Sequence, residues 1–132
     1  MELNPRARGY VELPLERTPF EFLWRVTSFG QDRQPPGQVY WHENLEREPA
    51  DLVVFQLTVD GELTYRDSRG MHPVPKGCAL LFAYGEDTGY GLASGATQTY
   101  RSRYICLRGA GLLDHWNAIR EAYGSVLNLG QS

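Results

Sequence analysis

The residues able to do chemistry are few and widely spaced. Histidines stand at positions 42, 72 and 115, and cysteines at positions 78 and 106. Zinc and similar metals need several imidazole, thiolate or carboxylate ligands converging at about 2.0–2.3 Å. Neither Cys78 nor Cys106 has a Cys or His partner at ligand spacing, and the stretch after Gly77 (CALLFAYGEDTGYG) holds no histidine. His72 adjoins a turn and His115 a helical stretch, so neither is placed to meet His42. The pattern predicts no metal and no other cofactor. For nucleophilic catalysis there is no GxSxG elbow and no cysteine beside a histidine. The glycine-rich segment 89–95 (GYGLASG) lacks the GK[ST] ending of a phosphate loop. No catalytic residue is assigned, and the chain reads as a protein that is not an enzyme.

What the sequence does offer is recognition chemistry. Trp24, Trp41, Tyr65, Tyr90 and Tyr104 supply flat aromatic faces with polar tips, and His42, Gln56 and Arg101 supply polar groups. Such a set suits a sugar or a small organic acid. A buried hydroxyl or indole N–H wants a partner, which a ligand can provide. Arg101, or Arg103 beside it, offers a bidentate fork for a carboxylate. Each aromatic also has an ordinary reading as core packing, as Phe22, Phe55 and Leu57 do, and each arginine as part of a solvated strand face.

Strands must position these residues. Segments 20–28, 38–44 and 52–59 alternate or run in the apolar, β-branched manner of half-buried strands. Asp60-Gly61 is a strong hairpin signal, with 62–67 returning as the partner strand. A short strand at 72–74 leads to the Pro75-Lys76-Gly77 turn, where proline presets φ and glycine accepts a positive φ. Strands at 78–82, around Tyr90 and at 98–107 follow. The spacing of Leu112, Trp116, Ile119 and Tyr123 predicts a helix over 112–123, stopped by Gly124. Residues 126–129 read as a short strand or a linker start. About eight strands in hairpin order and one terminal helix give an all-β class, a closed barrel or jelly roll that removes its exposed edges.

The bulk properties agree. With 132 residues, 42% of them hydrophobic, the chain reads as one domain, 1–132, with one core. A net charge of −3 speaks against a nucleic-acid surface. No stretch reaches the roughly 20 apolar residues of a membrane span, and residues 1–9 hold no signal-peptide core. The expected place is the cytoplasm, with both cysteines reduced and acting as small buried hydrophobes.

The stretch FQLTVDG (55–61), then Tyr65, then VPKGCALL (74–81), resembles the N-terminal effector domain of AraC-type transcription regulators. Residues 100–109 and the helix with Trp116 and Gly124 resemble that family's closing strand and the helix beyond it. The similarity covers about residues 20–129. It implies a cupin-like double-stranded β-helix (jelly-roll) barrel that senses a small-molecule effector and forms a homodimer. On that reading Leu112, Leu113, Trp116, Ile119 and Tyr123 pair across the dimer, and intramolecular packing is the alternative role of the same stripe. DNA contact would belong to a C-terminal helix-turn-helix domain, which the chain lacks, so direct nucleic-acid binding is not expected. The rival function is a metal-dependent cupin enzyme of the isomerase or dioxygenase type.

Overall fold

The computed structural model describes residues 11–12 and 23–130. Ten strands and one helix are described: β1 (Val11–Glu12), β2 (Arg25–Gln34), β3 (Trp41–Glu43), β4 (Val53–Asp60), β5 (Glu62–Asp67), β6 (Gly70–Pro75), β7 (Cys78–Ala83), β8 (Gly89–Gly91), β9 (Tyr100–Arg108), α1 (Leu112–Tyr123) and β10 (Val126–Asn128). They form two antiparallel sheets, ordered β1-β2-β9-β4-β7-β10 and β3-β8-β5-β6. This is a jelly roll, and the all-β expectation with a terminal helix holds.

Two local expectations do not. Asp60-Gly61 is not a hairpin, because β5 pairs with β6 and β8 and leaves β4 to β7 and β9. Gly61, at φ 75°, is a corner where the chain leaves one sheet for the other. A Cβ there would lie 2.6 Å from the Thr99 carbonyl oxygen, so only glycine lets the two segments approach. The turn at Lys76 and Gly77 is the return corner. The true hairpin is β5–β6, closed at Ser68 and Arg69. The first long strand is also displaced: β2 runs over Arg25–Gln34 rather than 20–28, and Phe20 and Phe22 lie outside the described residues.

Strand β4 shows how the layers arise. Val54, Gln56 and Thr58 point between the sheets and are buried. Val53 points the other way yet is fully buried, because α1 covers it: Val53, Ala83 and Leu112 form a second core, flanked by Leu107, Leu113 and Trp116. The interior therefore holds polar side chains that find internal partners. Thr58 Oγ1 donates to the Val74 carbonyl at 2.9 Å, and Gln56 Nε2 to the Tyr100 hydroxyl at 3.0 Å.

The helix seats itself on the barrel. Leu112 is its one fully buried residue, and Leu113 and Trp116 pack on the same cluster. Leu112 is taken up inside the chain, because the outer face of β4 and β7 needs a cover, and Leu113 and Trp116 are half-buried beside it. Ile119 is half-buried, and Tyr123 is 75% exposed. Gly124 ends the helix, donating to the Arg120 carbonyl at 2.8 Å. Among the described residues no helix is long and apolar enough to cross a membrane.

Candidate ligand-binding site

Between the sheets lies a cavity of about 400 Å³. Its walls come from alternate residues of β2, β4 and β9, which the period of two turns inward: Ser28 and Asp32, Val54 and Gln56 with Leu52 just before β4, and Ser102, Tyr104, Cys106 and Arg108. Tyr40 and His42 close it from the β3 side, with Phe82, Tyr84 and Tyr90. The aromatic rings form one connected wall. Tyr40 meets His42 edge-on at 5.0 Å, His42 meets Tyr90 at 5.2 Å, and Tyr90 meets Phe82 at 4.6 Å.

Into this cavity projects Arg47, from the turn between β3 and β4. Its Nη2 donates to the Tyr84 hydroxyl at 2.6 Å. Its Nη1 donates to the Tyr90 hydroxyl at 2.8 Å and to Asn44 Oδ1 at 3.2 Å. These partners are all neutral. Among the described residues no carboxylate lies within ion-pair distance of Arg47, whereas Arg108 on the same wall is paired with Asp51 at 3.0 Å. A guanidinium carries five N–H donors. Three are engaged here, so one on Nε and one on Nη2 take no partner among the described residues.

Burial keeps Tyr40, His42, Tyr84, Tyr90 and Cys106 on the wall uncharged near neutral pH. It pushes the Tyr40 and Tyr84 hydroxyls up, and Tyr90 up to about 12; Tyr100, in the core behind the wall, is raised too. Burial pushes the Cys106 thiol up as well. Burial, aided by the nearby Arg47 charge, holds His42 below the usual imidazole range. Asp32 is the wall's acid, and its carboxylate accepts from Gln34 Nε2 and from the Arg33 N–H.

The structure brings together His42, Gln56, Tyr90 and Tyr104 of the residues named from sequence, and leaves the other four outside. Trp24 is half-exposed on the outer surface, donating to the Ala110 carbonyl at 2.8 Å and stacking on His115. Trp41 lies across Gly89 and Gly91 on the outer side of the small sheet, its indole N–H bonded to Glu43. Tyr65 is buried in the core rather than on the cavity wall. Arg101 points outward, because Tyr100 and Ser102 take the inward positions of β9, and Arg103 shares its outer groove. Tyr40, Arg47 and Tyr84 were missed from sequence. Arg47 sits between Glu46 and Glu48 in a segment that reads as a solvated turn.

The histidines stay apart. His42 faces the cavity, His72 bonds to Asp67 at 2.7 Å, and His115 stacks on Trp24. Among the described residues no three His, Cys, Asp or Glu side chains are grouped so as to hold a metal ion.

No family model and no curated protein matches the chain. Solved structures do. The protein YhaK from Escherichia coli is 21% identical with a TM-score of 0.57, over 79% of this chain and 45% of that one. A cupin 2 conserved barrel domain protein from Salinispora arenicola is 13% identical with a TM-score of 0.50, over 89% of this chain and 97% of that one. The fold is a cupin barrel. A cupin domain of an XRE family transcriptional regulator from Enterobacter cloacae is also similar, at 14% identity and a TM-score of 0.48, over 74% of this chain and 95% of that one. At such identities the likeness is one of fold, and this cupin barrel spans less than half of YhaK. What it binds must be argued from its own cavity.

Proposed function

We propose that this cupin barrel is a ligand-sensing domain whose effector is a small organic acid, its carboxylate held by Arg47. The observation that carries the reading is the Arg47 guanidinium: it faces the cavity, is oriented by three neutral acceptors, and has no carboxylate partner among the described residues. A half-buried cation without a counter-charge is costly, and a ligand carboxylate relieves that cost while engaging two N–H groups as a fork. The ring wall of Tyr40, His42, Phe82 and Tyr90 suits a flat ligand body. The uncharged tyrosines and thiol favour recognition over proton transfer or nucleophilic attack.

The placement of this module in an AraC-type regulator rests on the sequence resemblance over 55–81 and 100–124. DNA contact would then belong to a further domain. Pairing of two copies through α1 would use the residues of the stripe that the barrel leaves wholly or partly accessible, Leu113, Trp116, Ile119 and Tyr123.

The test is a thermal-shift comparison of benzoate with benzyl alcohol, ligands of similar shape that differ in charge. Benzoate should raise the melting temperature in a saturable way, and benzyl alcohol should not. Equal shifts, or none, would remove the carboxylate assignment.

A further inference from the structure

Arg47 touches more than the cavity. From its bond to Asn44 Oδ1, the series continues outward. Asn44 Nδ2 donates to Thr88 Oγ1 at 3.0 Å, and Thr88 Oγ1 donates to Glu86 Oε2 at 2.8 Å. Arg120, on α1, closes it from the far end, with Nη1 on Glu86 Oε2 at 2.9 Å and Nη2 on Glu86 Oε1 at 2.7 Å. Donors and acceptors are consistent along the whole length: the Asn44 amide accepts with its oxygen and gives with its nitrogen, and the Thr88 hydroxyl does both. Asn44 and Thr88 are buried, and Glu86 and Arg120 are largely covered. Buried chains of this kind polarise one another and are costly to break in part.

The loop between β7 and β8 is tied to Arg47 twice. Tyr84 bonds Arg47 directly, and Thr88 does so through Asn44. Glu86, between them, holds the helix. The helix is held differently at its two ends: its one fully buried residue, Leu112, is at the N-terminus, while its C-terminal half carries the Arg120 anchor to the loop and runs on into β10, which pairs with β7.

We propose that the series Arg47–Asn44–Thr88–Glu86–Arg120 couples occupancy of the cavity to the seating of the C-terminal half of α1. The trigger rests on the carboxylate reading above. A carboxylate held by the free Nε and Nη2 hydrogens draws the guanidinium toward the cavity, and the 3.2 Å bond from Nη1 to the neutral Asn44 oxygen is the weakest of its three. Once that bond is released, Asn44 no longer holds the Thr88 hydroxyl in place. Glu86 then loses its second donor and shifts with Arg120. Asn44, Thr88 and Glu86 are positioning residues, acting on the helix through one another.

The series is testable without any ligand, by amide hydrogen exchange across α1 in the wild type, Arg47→Met, Thr88→Val and the double variant. Arg47→Met should lower protection over residues 117–123 by about two- to thirtyfold, with the β5–β6 hairpin unchanged. In the Thr88→Val background the same substitution should have no further effect. Thr88→Ser, which keeps the hydroxyl, should behave as wild type. If Thr88→Val does not fold, Glu86→Gln takes its place under the same logic. Additive effects of Arg47→Met and Thr88→Val would overturn the proposal, as would an equal loss of protection in the hairpin. Benzoate added to the wild type should reproduce the Arg47→Met pattern. Binding of benzoate with no change in α1 overturns the coupling and leaves the carboxylate reading standing. Absence of benzoate binding removes that reading, and the variants alone then decide the coupling.

Discussion

Arg47 stacks on Tyr84 and bonds to it at once: the guanidinium carbon lies 4.1 Å from the ring centre, and Nη2 donates to the hydroxyl at 2.6 Å. The ring supports the charge and the hydroxyl fixes its orientation, but neither neutralises it. The cation is thus preorganised for an anion before one arrives, which lowers the ordering cost of binding.

Stability should have two pH limbs. His42 is held below its ordinary value of 6.5, so the unfolded chain binds a proton first. Its contribution is present above pH 6.5 and is lost as pH falls through the lower folded value. Tyr90 is raised from 10.0 to about 12, so its contribution is present below pH 10 and is lost as pH rises toward 12. Urea melts across pH should show a plateau between these limbs. His42→Gln should flatten the acid limb alone; an unchanged acid limb would place its origin elsewhere.

Leu112 and Tyr123 should part company. Leu112→Ala empties a fully enclosed site against Val53 and Ala83 and should cost about 2–5 kcal/mol, at any protein concentration. Tyr123→Ala removes an exposed ring and should stay within about 0.5 kcal/mol. Chemical denaturation of both variants at two concentrations checks this. A concentration-dependent loss for Leu112→Ala would return that residue to a dimer interface.

Gly91 and Gly95 give a matched pair. A Cβ at Gly91 would lie 2.0 Å from the Tyr40 carbonyl oxygen and 2.7 Å from the Trp41 ring, forcing β3 off β8. At Gly95 it would meet nothing within 4 Å. Gly91→Ala should cost about 1–3 kcal/mol through overpacking, and should also disturb the cavity through Tyr40. Gly95→Ala should be close to neutral. Comparable melting temperatures for the two variants would contradict the close approach.

Much of the fold could be read from residue order. The helix over 112–123 and the strand over 62–67 match the observed elements, because a clear apolar stripe and a clean alternation leave little choice. The pairing of β4 could not be read so, because Asp60-Gly61 serves equally as a hairpin turn or as a corner between sheets. Nor could its inward face. Val53, Phe55 and Leu57 form the more apolar face, yet the helix claims part of it, and Gln56 and Thr58 turn inward. Alternation along β9 turns Tyr104 inward and Arg101 outward, so Tyr104 was legible and Arg101 misplaced by one, whereas Gln56 lies on the less apolar face of β4 and was legible by its polarity alone. Arg47 carries no local signal. Its partners Tyr84 and Tyr90 lie 37 and 43 positions away, and only the folded barrel brings them together.

The most direct test is calorimetric titration of benzoate into the wild type, Arg47→Met and Arg101→Met. Hydrogen bonds to a charged group are worth about 1.5–3 kcal/mol, which corresponds to an affinity loss of roughly tenfold to a hundredfold. Arg47→Met should show that loss, and Arg101→Met, altered on the outer face, should bind as the wild type does. Unchanged affinity in Arg47→Met, or a loss confined to Arg101→Met, would contradict the assignment of Arg47 as the anion-holding residue.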